Sequence, residues 1–554
     1  MSAEGGAAPS QWRVHTGAVA RAEAPQNILH SLIASGRLDD LRWPDFSDYR
    51  SEVTKLYAGS HFAPIWLRDG KPTAQALQMI AVLQEADGEA LRAEDYDSYR
   101  WLERLAYLQR PHSTADEMRF DVALTVCAMR YVSDLRVGRI SAPSFRVRFT
   151  DASREQELHL FVRLRLAEAN DVGAELARIE PRFVAYGKLR DGLAKYTRLA
   201  AKDDGEQLPV PQGMGYPGPP YPGYARLVRL LRLVGDLPES YSTETGREQV
   251  YDATLMQAVR RFQKRHGLQA TGYLDDATIR ELNVPLSYRV EQIRLALERF
   301  RWMHYDFRRP AIVVNIPEFR LYAFDKDGKA ALQMKVDVGD EFNGRTPEMD
   351  ATLSSVVFRP YWYVPPHIAS EEWVPFLATH RNFLASNDYE VWTSGGKRVS
   401  SEVTETSLAE MRAGRLRIRQ RPGDHNPMGA VKFVLPNPHG VYLHDIPLRD
   451  VNFIVPERLV SHGCVHVEHP AELAAWVLRD QPGWSVKRVQ TAMQGHGELA
   501  VKVAHPLPVL IVYATATASE NGDIYFFRDI YGYDASLKEA LARSYPAASS
   551  QNLK

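Results

Sequence analysis

Cysteine is almost missing: the 554-residue chain has two, Cys127 and Cys464, too few for a disulfide-dense scaffold. Lying far apart in sequence, they are expected to be two separate thiols. Long apolar runs are missing too. No stretch of about 18 apolar residues occurs, so no transmembrane helix is expected. The start, Met1–Ser10, lacks the basic and apolar regions of a secretory signal and by itself points to the cytoplasm. Charge of one sign is also lacking. Lys plus Arg number 68 against 69 Asp plus Glu, a net of −1. Bulk charge therefore gives no reason to expect nucleic acid or anionic lipid as a partner; only a local patch could.

What is present is the balance of a globular protein, 45% hydrophobic and 25% charged. The length exceeds one hydrophobic core and implies two to four domains. Residues 1–22 are small and polar and are expected to be disordered. Helical periodicity fills 23–244. In DVALTVCAMRYVSDLRVGRI, Leu124, Cys127, Tyr131 and Leu135 recur as a buried stripe, making Cys127 a core residue. In FVAYGKLRDGLAKYTRL, Leu189, Leu193 and Tyr196 share one side. The Pro/Gly-rich segment 208–224 lacks donors and resists order, so it is expected to be a linker. The helix after it closes at Gly235.

Residues 245–285 form a small helical unit. Leu255, Val259 and Phe262 mark one helix, Gly267 ends it, and Ile279 and Leu282 mark another. A unit of about 40 residues buries little apolar area alone and is expected to lean on its neighbours. A connecting helix at 286–309 follows, and the period then changes to that of strands. AIVVNIPEFRLYAF, ALQMKVDVG, VKFVLP, VYLHD and VLIVYATA are β-rich, with Asp327-Gly328 and Asn521-Gly522 as hairpin turns. One helix, AELAAWVLRD, starts at Pro470. The expected fold is multidomain α+β. Helices come first, then a mainly β domain over 310–540, a barrel or folded sheet, and a tail at 541–554.

Chemistry concentrates in HGVYLHDIPLRDVNFIVPERLVSHGCVHVEHP, residues 439–470. Gly463 permits a backbone turn that would project the Cys464 sulfur and gather N–H groups into an oxyanion hole. A thiol near pKa 8.5 needs an imidazole or a positive field to become a nucleophile. His439, His444, His462, His466 and His469 compete for that role. Strand alternation places Tyr442 and His444 on one face, which favours His444; His462 is the next candidate. Alternatively, His444, His462, Cys464 and His466 could ligate zinc, although neither CxxC nor HExxH is present. Cys464 as a plain core residue is opposed by its polar and glycine neighbours.

Sixteen residues, 445–460, separate His444 from Ser461-His462-Gly463-Cys464. That spacing and tetrapeptide resemble the L,D-transpeptidases with a YkuD-type catalytic domain. The resemblance implies Cys464 as nucleophile, His444 as base and the main-chain carbonyl of Asp445 as orienter of the imidazole. It also implies Gly463 as an oxyanion N–H donor and His462 as a pocket-shaping residue. Tyr442, Ser461, His466, Asn426, Gly429 and Lys432 are carried over as substrate-binding positions. His466 departs from the family, which often has Arg or Asn there.

Further segments resemble the large multidomain branch: RTPEM (345–349), PYWYVPPHIA (360–369), RIRQRPGDHNPMGAVKF (417–433), IVYATATA and DIYGYD. By that likeness 370–415, weakly patterned helix and loop, would be a lid. Residues 245–285 resemble a type 1 peptidoglycan-binding domain, inserted in a helical scaffold. The implied reaction joins tetrapeptide stems of peptidoglycan 3→3 through a cysteine thioester, without metal or cofactor. L,D-carboxypeptidase action, attachment of a protein to the wall, or a noncatalytic peptidoglycan-binding role are the alternatives. The implied partners are peptidoglycan stems as donor and acceptor, a carbapenem as inhibitor, and cell-wall synthesis or outer-membrane proteins. The implied location is the periplasm, in tension with the start of the chain.

Overall fold

The structure is a computed structural model that describes residues 24–140, 142, 157–211, 221–241, 251–303, 305, 309–342, 344–447, 453–455 and 457–543. Residues 1–22, most of the Pro/Gly-rich segment, 245–250 and all but the first residues of the C-terminal tail lie outside it. The described residues divide into two units, one over 24–84, 93–131 and 157–175, the other holding the remainder.

The first unit is helical, with Pro25–Ser35, Arg50–Gly59, Ala74–Gln84 and Trp101–Leu108, and a short hairpin of β1 (Leu67–Arg68) and β2 (Lys71–Pro72). The stripe expected around Cys127 lies in the helix Thr114–Val137, whose part in this unit, up to Tyr131, is buried on every side from Asp121 onward. Its polar residues go inside because they find partners there. Asp121 accepts hydrogen bonds from the N–H groups of Ile65 (3.1 Å) and Trp66 (2.8 Å) and from the Tyr57 hydroxyl (2.6 Å). Burial pushes the Asp121 carboxyl up to about 6 and the Cys127 thiol well above its usual range.

In the second unit the helices Val184–Ala200, Tyr224–Leu233, Ala253–Arg265, Asp276–Leu282 and Leu286–Trp302 pack together. Gly235 follows the second of these at φ 85°, in the left-handed conformation that ends a helix. Asp252 and Asp275 cap the two short helices through the N–H groups of Leu255 (2.8 Å) and Thr278 (2.7 Å). The small unit does lean on its neighbours. Leu255, Phe262 and Ile279 share one core with Leu189, Tyr196 and Ile293, and with Leu510 and Phe526 of the β region.

Among the described residues nine strands then make one sheet: β3 (Ala311–Asn315), β4 (Arg320–Phe324), β5 (Ala330–Gly339), β6 (Met349–Phe358), β11 (Val431–Val434), β12 (Leu443–His444), β13 (Leu459–Ser461), β14 (Val465–Val467) and β15 (Leu499–Val512). They pair in the order β13-β5-β14-β12-β11-β6-β15-β3-β4, and β4 pairs back onto β5, so the sheet closes as a barrel. Ile312, Val336, Phe433, Leu443, Val465 and Ile511 fill it from the apolar face of each strand. VYLHD contributes only two strand residues. β16 (Ala516–Ala518) and β17 (Ile524–Phe526) form the expected Asn521-Gly522 hairpin.

The stretch 370–415, expected as helix and loop, does hold short helices, Val374–Thr379, Phe383–Ser386 and Glu405–Arg412, but strands run through it and beyond both its ends. They make a separate antiparallel sheet, β7 (Trp362–Tyr363), β8 (Tyr389–Thr393), β9 (Arg398–Val399) and β10 (Leu416–Gln420), in the order β7-β10-β8-β9. Its core face, with Tyr389, Val391 and Ile418, packs on Val374, Leu377 and Leu408 of two short helices. Alternation in LRIRQ was the overlooked signal. Arginine at every second position hid a half-buried strand.

Candidate active site

Strand register assembles the site. Lys432 on β11 lies opposite His444 on β12, His444 opposite His466 on β14, and His466 opposite Asp337 on β5. These four residues form one row across four strands on the polar face. Tyr442 and Cys464 occupy the next row, since each stands two positions from a histidine of the first. Phe433, Leu443 and Val465, on the opposite face, enter the barrel core. Period-two alternation thus separates chemistry from packing.

His444 is 4% exposed, and its Nδ1 donates to the Asp445 carbonyl oxygen at 2.7 Å. A carbonyl can only accept, so the neutral ring carries its proton on Nδ1 and keeps a lone pair on Nε2. Burial holds the imidazole well below its ordinary pKa, and the charges of His466 and Lys432 add to the effect. The His466 ring stands 4.7 Å from that of His444, and its Nδ1 lies 3.4 Å from Asp337 Oδ2. Asp337 is fully buried, with Arg458 Nε 3.8 Å from its other oxygen.

Cys464 is half-buried and lies in a tight turn. Gly463 has φ 104°, a conformation that side chains disfavour. Burial pushes the Cys464 thiol up, while the backbone N–H of Tyr442 and the Lys432 ammonium pull it down; the net shift is upward. The resting pair is therefore a neutral thiol and a neutral imidazole, and attack requires a base to remove the thiol proton. Lys432 Nζ sits 3.5 Å over the Tyr442 ring, and burial lowers its pKa.

Residues 309–493 match the family of the L,D-transpeptidase catalytic domain. The chain carries an L,D-transpeptidase catalytic domain. Residues 226–282 match the "Putative peptidoglycan binding domain" and 51–193 the "Scaffold domain", so the protein is multidomain. A Haemophilus influenzae protein named "Putative L,D-transpeptidase" is 33% identical over 235 residues, 42% of this chain and 46% of that protein. The chain thus matches about half of that relative's length. The crystal structure of an L,D-transpeptidase (Yku) from Stackebrandtia nassauensis shares 12% identity, covering 55% of this chain and 96% of that one. Its TM-score is 0.21.

Within the L,D-transpeptidase domain the anticipated residues separate by position. Tyr442, His444, Cys464, His466 and Lys432 come together on the polar face. Ser461 is buried inside the turn, where its Oγ donates to the Cys464 carbonyl and accepts from the Gly463 N–H at 3.2 Å. Gly463 can serve an oxyanion only if that contact opens. His462 turns aside, its Nε2 3.0 Å from Glu372 Oε1. Asn426 builds a loop: its amide donates to the carbonyls of Pro360 and Arg421, both at 3.0 Å, and accepts from the Met428 N–H at 2.8 Å. Gly429 lies against Asp445, where a Cβ would come within 2.6 Å of three of its atoms. It leaves room for the residue whose carbonyl holds His444.

Several residues behind the turn were not singled out from the sequence. Thr346 Oγ1 donates to the Gly463 carbonyl at 3.0 Å and accepts from the Gly339 N–H at 2.8 Å. The Tyr531 hydroxyl accepts from the Thr346 N–H at 3.2 Å and donates to the Gly339 carbonyl. A Cβ at Gly339 would strike the Gly344 carbonyl oxygen at 2.0 Å. RTPEM and DIYGYD were visible as segments, but their shared task was not. Among the described residues no group of three His, Cys, Asp or Glu is placed to hold a metal ion.

Proposed function

We propose that the protein is a peptidoglycan L,D-transpeptidase that forms 3→3 cross-links through a Cys464 thioester. The observation that carries this reading is the polar face itself. Cys464 lies one strand from His444, whose tautomer is fixed by the Asp445 carbonyl at 2.7 Å. In the first half-reaction the Cys464 proton passes to His444 Nε2 as sulfur attacks the carbonyl of the third stem residue. The tetrahedral intermediate collapses, the bond to the terminal D-alanine breaks, and His444 returns the proton to the leaving amine. In the second, an amine of another stem attacks the thioester, gives its proton to His444, and the thiol is restored. The Cys464 N–H is the leading oxyanion donor, joined by Gly463 if its contact to Ser461 opens. Water as acceptor would give a carboxypeptidase, and a protein amine would give wall attachment. The work would be done where the polymer lies, outside the cytoplasmic membrane.

Incubation with a soluble tetrapeptide muropeptide tests the reading. Mass spectrometry should show released D-alanine and an acyl adduct on the wild type and on Cys127→Ala, and neither with Cys464→Ala. A wild type that releases no D-alanine refutes the reaction, as does an adduct that survives in Cys464→Ala.

A further inference from the structure

Alternation sorts the sheet β7-β10-β8-β9 into an apolar side, covered by helices, and a second side of another composition. On the second side, register places Tyr363, Arg419 and Glu390 in one row, and Arg417, Trp392 and Arg398 in the next. Arg421 continues the first set beyond the strand end, its N–H donating to the Asp388 carbonyl at 3.0 Å.

The arrangement is preorganised. The Arg419 guanidinium lies 4.2 Å from the centroids of both the Tyr361 and Trp392 rings. Glu390 Oε2 accepts from Arg419 Nε at 2.8 Å and from the Trp392 indole at 3.1 Å, and its Oε1 accepts from Arg421 Nε at 2.8 Å. Burial alone would raise the Glu390 carboxyl, but the bonds from Arg421, Arg419 and Trp392 hold it at about 2. It therefore stays ionised and fixes the guanidiniums around it. One carboxylate cannot neutralise four arginines, and even with Asp388 at the edge the face remains positive. Arg398, Arg417 and Arg421 are exposed, and Tyr363 is 60% exposed.

We infer that this face binds the peptidoglycan strand beyond the reacting stem, with Arg398, Arg417 and Arg421 taking stem carboxylates and Tyr363 and Trp392 stacking on sugar rings. The inference rests on the proposed reaction for the identity of the polymer. Charge complementarity supports it, since planar guanidiniums pair with carboxylates in forked geometry. Position supports it as well. The Tyr361 N–H donates to Glu498 Oε2 at 3.0 Å, and the Glu498 charge acts on Lys432, which faces Cys464. The patch thus begins beside the catalytic face, where a polymer threaded past the sulfur would continue. A membrane surface suits it less, because no large aliphatic side chain projects among these residues.

The test uses the full chain and a triple variant, R398Q/R417Q with Tyr363→Ser, sedimented with intact sacculi. All three side chains are exposed, so the fold should survive, which circular dichroism checks. The variant should bind sacculi about tenfold more weakly, as expected for the loss of three exposed contacts. Wild type should bind sacculi with amidated carboxyls as weakly as the variant binds native ones, and added salt should narrow the difference. Equal binding of both proteins to native sacculi overturns the inference. So does indifference of the wild type to amidation, or a loss seen only with vesicles of anionic lipid. D-alanine release from the soluble muropeptide is measured alongside. A chain that binds sacculi as described but releases no D-alanine would refute the reaction and leave the surface standing.

Discussion

His466 stands beside His444, the proposed base, and its effect is one of charge. The His444 imidazole is held below its usual pKa first by burial, then by the charge of His466, then by that of Lys432. A base must be neutral to accept a proton, so the acid limb of kcat/KM should fall below the ordinary histidine value of about 6.5. His466→Gln removes one of the depressing charges. The His444 pKa should rise, and the acid limb should move to higher pH with the plateau rate less affected. A pH profile of D-alanine release by both proteins measures this. An unmoved limb, or one displaced to lower pH, would show that His466 exerts no such field.

Among the elements, the turn that carries Cys464 is held from behind. Thr346 joins the Gly463 carbonyl to the Gly339 N–H, and Tyr531 binds the same segment from the other side. Thr346→Val keeps the shape and removes the hydroxyl, leaving two buried backbone groups without that partner. The cost should be about 1–3 kcal/mol of stability. A turn displaced by about 1 Å should also lower turnover by roughly a hundredfold. Thr346→Ser retains the hydroxyl and should recover most of the turnover. Thermal unfolding and single-turnover acylation of the two variants decide the matter. A Val variant that keeps full turnover while Ser loses it would point to the methyl contact instead of the hydrogen bonds.

At the scale of the molecule, the β region does not stand apart from the helices of its unit. Leu510, Val512, Ala516, Ile524 and Phe526 share a core with Leu189, Tyr196, Phe262 and Ile293. The Gln292 amide donates to the Phe527 carbonyl at 2.9 Å, and Arg299 forms a buried ion pair with Asp534. A fragment starting near residue 305 leaves Asp534 buried without its arginine, a cost of about 3–5 kcal/mol, and exposes apolar surface as well. It should aggregate or melt well below the full chain. Deleting 251–285 should likewise reduce activity on sacculi and on soluble muropeptide together, because Phe262 and Ile279 leave the shared core. Sedimentation and thermal melts of the purified fragments check both expectations. A monodisperse fragment from 305 with full activity would show that the shared core is dispensable.

The sequence by itself determined what is local. Period-two alternation separated Tyr442 and His444 from Val441 and Leu443, Gly463 marked the turn, and Asp327-Gly328 and Asn521-Gly522 marked hairpins, because each depends on neighbours within a few residues. Helical spacing likewise located Leu189, Leu193 and Tyr196. The tertiary structure alone decided what depends on register between distant strands. It put Asp337 in line with His466, set Thr346 and Tyr531 behind Gly463, and turned Ser461 and Asn426 inward to build loops. It also turned arginine-rich LRIRQ into a strand, because the other residues of that segment were the ones with a core to enter. Cross-strand partners are chosen by chain closure over tens to hundreds of residues, and no pattern within one segment records that choice.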